Sequence, residues 1–390
     1  MELKRLLFSS NLEPYRKQAE ELLTAHQAGD SQAIRIFHEN HPRFLDAKIL
    51  WLPKNIPDSE IQNTALDLAD AQLAIARWYN FQNWPALAQF VDAVTRKGSP
   101  VFPFEAAVEA VIAGDLATLE SLLRENPELV RARSTRITHF DPPVHRSTLL
   151  HYVAANGVEG YRQKTPKNAV EIAKALVQAG ADVDSLADLY GGQCTTMSLL
   201  VSSSHPAEAG VQVALVDTLV DFGAAVEPRG AGNWQSPLMT ALVFGYLRTA
   251  EALVRRGARV DHIATAAGLG RLAEATTLLP ASDADSRHRA LALAAQLGHA
   301  DVVRLVLDAG EDPNRYNPAG THAHSTPLHQ AIIAGHDAVV RLLVERGARL
   351  DIQDTIYHAT PLGWARHGGK TGIEKYLREH GAKFADEPGQ

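Results

Sequence analysis

The chain has a single cysteine, Cys194, in 390 residues. That excludes an internal disulfide framework and fits a reducing cytoplasm. No apolar run approaches the ~20 residues that span a bilayer, and the charged start Met1 to Arg5, with its apolar run broken at Ser9, does not read as a signal peptide. Basic residues do not cluster: 38 Lys and Arg are dispersed among 45 Asp and Glu, for a formal net charge of −7. A nucleic-acid binder needs a basic face for phosphates, so that class is set aside. Also missing are HExxH, paired CxxC, a GxSxG elbow, a phosphate loop and a GxGxxG after a strand. What is present is an apolar share of 45%, that of a soluble globular chain.

The most informative stretch runs from Thr326 to Asp351. Thr326 can cap a helix through its hydroxyl, and Pro327 fits the first helical position, where no amide hydrogen is missed. Leu328, Ala331 and Ile332 form one apolar stripe, which Gly335 ends. Val339, Val340, Leu342 and Leu343 give a second helix its apolar side, and Gly347 supplies the left-handed residue that closes it. A helix pair of this kind has apolar surface on both flanks and needs neighbours to bury it.

The same offsets recur. A helix start, an alanine five on, a glycine nine on and a glycine twelve after that are met from Ser236, Arg289 and Thr360. The unit from Asp261 shows Ala266, Gly270 and the apolar pair Leu278 and Leu279. Starts near 105, 148 and 195 follow with more departures, and Glu20 leads to Ala25 and Gly29 in the same way. We therefore expect an all-α solenoid of helix pairs over 98–390, preceded by a helical N-terminal cap over 1–97 that holds a degenerate repeat. In the cap, Asn83 reads as a helix N-cap, with Trp84, Leu87, Phe90 and Val91 as a buried stripe. His26, His38 and His41 read as surface residues.

The Thr-Pro-Leu-His opening at Thr326, the Gly335-His336 break and the Gly347-Ala348 close resemble an ankyrin repeat, and residues 100–385 resemble bacterial ankyrin-repeat proteins. The resemblance implies a scaffold whose fingers and first helices form a concave surface that grips a protein partner, with no cofactor needed; the missing metal signatures and the lone cysteine leave no metal expected. It also implies that His151, His299, His329 and His336 tie turns and neighbouring repeats together.

Two departures from the repeat carry the functional reading. Four units space their glycines by twelve positions, but Gly157 to Gly180 takes twenty-three, an insert of eleven, and Ser204 to Gly223 takes nineteen. The first insert holds Glu159, Tyr161 and Arg162; the second holds His205. The fingers are the other departure. They are almost absent before Asp261 and Arg289, and long elsewhere: Arg136, His139, Asp141 and His145 in the first, then Tyr190, Trp234, and Arg315, Tyr316 and His324. Long polar loops with aromatics on a rigid scaffold are where binding residues gather.

Two functions compete. The first is a cytoplasmic protein-interaction scaffold using Arg136, Asp141, Arg162, Tyr190, Trp234, Arg315, Tyr316 and His324, since Trp, Tyr and Arg dominate hot spots. The alternative is an enzyme or sensor for a small anionic ligand, with an acid-base site built from His139, His145, Glu159, Tyr161 and His205 within residues 131–223. Catalysis is not assigned. Fingers and inter-helix inserts lie at opposite ends of a helix pair, ~13 Å apart for nine helical residues, so they share a site only if the insert folds back. Cys194 reads as the opening residue of a helix, whose dipole could lower its pKa, or as a small buried side chain.

Overall fold

A computed structural model describes Leu6 and residues 11–49, 51–96, 98–227 and 236–385. It is helical except for one hairpin among the described residues, Ala187–Leu189 paired with Gly192–Cys194. The chain divides into two compact units, residues 1–223 and 224–390.

The N-terminal unit contains three helix pairs: Val101–Ala113 with Leu116–Glu125, Leu149–Val153 with Ala169–Gln178, and Thr196–Leu200 with Gln212–Asp221. First helices pack on first helices and second helices on second helices, which buries both flanks of the middle pair. The inserts shorten the first helices of the second and third pairs to five residues each. The hairpin turns at Tyr190 and Gly191, both at positive φ (53° and 74°), as a two-residue loop with the twist of its strands requires. Cys194 ends the second strand rather than opening a helix. Its thiol is pushed up by burial, not lowered by a dipole.

Ahead of these pairs come helices Glu13–Gln27, Ser31–Asn40, Asp58–Gln62, Leu68–Trp78 and Trp84–Thr95. Asn83 caps the last through Ala86 N at 3.0 Å, and Leu87, Phe90 and Val91 are buried as the stripe requires. Two of the three histidines read as surface residues are core. His26 Nε2 lies 2.9 Å from the Ile61 carbonyl, and His41 Nε2 lies 3.1 Å from Asp70 Oδ1. An apolar neighbourhood tolerates them because each ring has a polar partner. His38 is half-buried, 2.8 Å from the Lys54 carbonyl.

The C-terminal unit stacks five pairs, with first helices Pro237–Val243, Ile263–Gly268, Ala284–Leu297, Pro327–Ala334 and Pro361–His367. Two repeat starts need correction. Helix Val101–Ala113 begins four residues before Glu105, and helix Ala284–Leu297 begins five before Arg289. In the second case Asp283 accepts from Ser286 N at 2.7 Å and starts the helix early, so the lost finger became an extra turn.

One hydrogen bond recurs. The carbonyl two residues before the glycine that ends a first helix accepts a side chain from a later repeat. Gly268 O faces His299 Nε2 at 3.0 Å, and Gln296 O faces His336 Nε2 at 3.0 Å. In the N-terminal unit Ala155 O accepts from Ser203 Oγ at 3.0 Å. These carbonyls have no partner within their own helix, so the bonds both satisfy the helix end and lock successive repeats. Val243 O has two such contacts, Gln296 Nε2 at 2.7 Å and His322 Nε2 at 3.2 Å.

Candidate functional site

The first finger, the first insert and the cap converge. The finger runs out and back between Ser134 N→Ser147 O (2.8 Å) and Thr138 N→Pro143 O (2.7 Å), and Gln82 N bonds Ile137 O at 2.9 Å, pinning it to the cap. The insert folds back because Gly157, at φ 68°, lets the chain turn where a Cβ would come within 2.7 Å of Leu189 Cδ1. A short 3-10 turn, Gly160–Arg162, then delivers Tyr161 and Arg162 to the finger.

The product is a buried network of charges. Arg136 Nη1 lies 3.2 Å from Glu159 Oε1 and donates to Tyr161 Oη at 2.9 Å. Arg162 Nη2 reaches Glu105 at 2.6 Å and Glu109 at 2.8 Å, residues one turn apart on helix Val101–Ala113. Its Nη1 lies 3.9 Å from Glu159 Oε2. Arg136, Glu159 and Arg162 are at most 2% exposed. Aromatic faces wrap the cations: the Arg136 guanidinium sits 4.4 Å from the Phe81 ring centre and 4.7 Å from Phe90.

The electrostatics hold Arg136, Arg162 and Glu159 charged and Tyr161 neutral. Burial works against both guanidinium charges, but Tyr161 and Glu159 beside Arg136, and Glu105, Tyr161 and Glu159 beside Arg162, raise both above the usual value. Burial raises Glu159, yet Arg136 and Arg162 outweigh it and hold the carboxyl below its ordinary range. Burial lifts the Tyr161 hydroxyl to about 12. His139 is pushed down to about 4 by burial, then by Arg77 and His145; burial also lowers His145. At neutral pH both rings are therefore neutral, around the exposed Phe140, whose ring centre lies 4.3 Å from His139. A general acid or base works best with a pKa near the working pH, and these groups have been moved away from it.

The remaining sequence-derived candidates are dispersed. Asp141 is exposed on the finger. His205 is half-buried on the short helix Ser204–Glu208, outside the charge network. Tyr190, 69% exposed at the hairpin turn, donates to Asn156 Oδ1 at 2.6 Å. Arg315 pairs with Glu311 (2.8 Å) and Asp285 (3.2 Å), and Tyr316 donates to the Gln353 carbonyl at 2.6 Å while remaining exposed. The His324 ring lies against Trp364, 5.8 Å between centres. Trp234 lies outside the described residues. Glu105 and Glu109 were missed, although two carboxylates four apart inside the apolar run FPFEAAVEAV are a legible sign of a buried counter-ion. Among the described residues no group of three or more His, Cys, Asp or Glu is placed to hold a metal, and no helix is long and apolar enough to cross a membrane.

The C-terminal unit offers a groove of about 400 Å³, lined by Leu247, Leu297, Ile333 and Ala334 with Gln296 and Gln330. It lies where the first helices end, an end that the finger 311–325 reaches through His322, whose Nε2 is 3.2 Å from Val243 O.

Comparison with known proteins agrees with the architecture. The ankyrin repeat family model matches residues 324–355. The chain is 36% identical over 110 residues to mouse ankyrin repeat and SAM domain-containing protein 6, covering 28% of this chain and 12% of that protein. It is 28% identical over 277 residues to the E3 ubiquitin-protein ligase KEG of Arabidopsis thaliana, covering 68% and 16%. It is also 33% identical over 122 residues to human cyclin-dependent kinase inhibitor 2A, covering 30% of this chain and 76% of that protein. The chain thus spans less than a fifth of the first two relatives. All three are eukaryotic, so the bacterial part of the resemblance gains no support from them. With the stacked helix pairs, the inter-repeat bonds and these matches in hand, the chain belongs to the ankyrin-repeat family.

Proposed function

We propose that the protein is a cytoplasmic interaction scaffold that binds a partner protein along its fingers and first helices, with residues 1–97 serving as a cap. The observation that carries this is the apolar groove at the ends of the first helices, which leaves Leu297 and Ile333 partly open, on an array whose finger 311–325 presents the exposed Tyr316 and the half-exposed Arg315 beside His288, at the other end of the helix Ala284–Leu297. Aromatic and Arg side chains, with an apolar pocket, are the usual anchors of binding energy. The relatives point the same way: one is named as an inhibitor of a kinase and another as a ligase acting with ubiquitin, both of them functions exercised on other proteins. The ligand-sensor reading is less favoured because Arg136, Glu159, Tyr161 and Arg162 are turned on one another rather than toward an opening.

A photo-crosslinking residue placed at Leu297, Tyr316 or, on the outer helix Ala300–Asp308, Arg304 tests the proposal in the cells that make the protein. Leu297 and Tyr316 should trap the same partner and Arg304 should not. Arg315→Ala with Tyr316→Ala should weaken that complex by ~2 kcal/mol or more. Equal trapping from all three positions, or none from any, overturns the reading.

A further inference from the structure

His288 lies on the helix Ala284–Leu297 and is 0% exposed. Both ring nitrogens face oxygens of the finger. Nε2 is 2.9 Å from the Tyr316 carbonyl, and Nδ1 is 3.1 Å from Glu311 Oε1. A carbonyl can only accept, so Nε2 carries the hydrogen of the neutral ring and Nδ1 presents a lone pair to a carboxylate. That contact is close but not aligned as a hydrogen bond. The same oxygen, Glu311 Oε1, accepts from Arg315 Nη1 at 2.8 Å. One carboxylate oxygen thus has two claimants. Arg315 holds it while the ring is neutral, and a charged ring would compete for it.

We propose that His288 and Arg315 exchange as the charge partner of Glu311, so that one proton taken up by the ring frees Arg315 for the partner protein. This rests on the proposed role of the finger 311–325 and adds a means of regulating it. Once Nδ1 is protonated, the ring's positive charge sits 3.1 Å from Glu311 Oε1, while Arg315 keeps only Asp285, a carboxylate 80% exposed and screened by water. The guanidinium on the finger then becomes available to a carboxylate of the bound partner.

The surrounding charges do not offer a simpler exchange. On the same helix, Arg287 donates to the Ser282 carbonyl and Arg289 to the Ala319 carbonyl. His262, which caps the helix Ile263–Gly268, lies 3.1 Å from Ser286 Oγ, and that helix carries no charged side chain. On the helix Ala300–Asp308, Asp301 pairs with Arg304, and Asp308 pairs with Arg346. The helix Pro327–Ala334 contributes only His329, held by Thr326 at 2.8 Å, and the helix Pro237–Val243 contributes none. Burial pulls the His288 ring below its ordinary value and Arg315 adds to that, while the Tyr316 carbonyl and the Glu311 carboxylate pull it up. The proton therefore arrives below the ordinary histidine value of about 6.5.

Nuclear magnetic resonance of the full chain, reading the His288 ring nitrogens and the Arg315 guanidinium, tests this without any partner. Its failure is thus distinct from failure of the scaffold reading. The ring should gain its second proton as the pH falls, and the Arg315 signals should move with the same midpoint. Glu311→Gln should lower that midpoint by about one pH unit or more by removing the anion, and Arg315→Ala should raise it by removing a competing cation. His288→Gln, which keeps a donor for the Tyr316 carbonyl, should leave the Arg315 signals independent of pH. A His288 ring that stays singly protonated down to the pH at which the chain unfolds overturns the proposal. So do Arg315 signals that do not follow the ring, or a midpoint that neither variant moves.

Discussion

The two units of the molecule solve one problem by different means. In residues 224–390 a late repeat holds an early one with histidine-to-carbonyl bonds, as at Gly268 and Gln296, over a core of Val, Leu and Ala. In residues 1–223 one such bond, Ser203 to Ala155 O, is joined by buried ions, where Arg136 and Arg162 tie a finger and an insert to the first helix of the first pair through Glu159 and Glu105, and Arg136 lies against Phe81 and Phe90 of the cap. The difference follows from the sequence. Regular repeats present neighbours of matching shape, whereas a cap and an insert have no repeat to match, and ion pairs can specify such a junction. Specificity of this kind costs desolvation, so a buried pair resists losing one partner far more than it adds stability as a pair.

Arg162→Met presses hardest on that contrast. It leaves Glu105 buried without its cation and Glu159 with Arg136 alone, and the expected loss is ~3–5 kcal/mol, confined to the N-terminal unit. Urea unfolding followed by circular dichroism should show an early transition; unchanged unfolding would mean that ions do not hold this junction. Next in size is a pH effect that both units should share. Burial pushes His151 in one unit and His329 in the other down to about 4. Because the folded value lies below the unfolded value of about 6.5, the stability is fully present above about 6.5 and is lost as pH falls toward about 4. Each histidine contributes on the order of 3 kcal/mol to that loss. Melting temperatures across this window should fall for both units; a flat profile for either one would show that its capping histidine is charged in the fold. Smallest is Gly298→Ala. The residue sits at φ 85°, and its new Cβ would come within 2.6 Å of His336 Nδ1, displacing the ring from Gln296 O. A loss of ~1–2 kcal/mol is expected in the C-terminal unit, and a neutral result would remove the inter-repeat bond from the comparison.

The contrast also explains what the sequence could disclose. Helix pairs were legible because caps, stripes and end glycines act within a few residues; Thr326, Gly335 and Gly347 each do their work locally. The buried network was half legible. Arg136, Glu159, Tyr161 and Arg162 stood out as polar departures; of their partners, Glu105 left a trace as a carboxylate in an apolar run, whereas Phe81 and Phe90 look like ordinary core aromatics until the finger packs against them. Burial misled in the cap, where the polar partners of His26 and His41, the Ile61 carbonyl and Asp70, lie thirty-five and twenty-nine residues away. His288 was not singled out because its two oxygens come from a loop twenty-three and twenty-eight residues downstream.

The doubled contact at Val243 O has a further consequence. In most repeat arrays each unit touches only the next, so the array can unzip from an end, one repeat at a time. Here the helix Ile263–Gly268 is only six residues long, and Gln296 and His322 reach past it to the carbonyl of an earlier repeat. Opening any repeat between residues 237 and 325 breaks bonds that belong to the others. That stretch therefore opens as one cooperative block, and the finger with Arg315 and Tyr316 inherits the stability of the whole block rather than that of a loop.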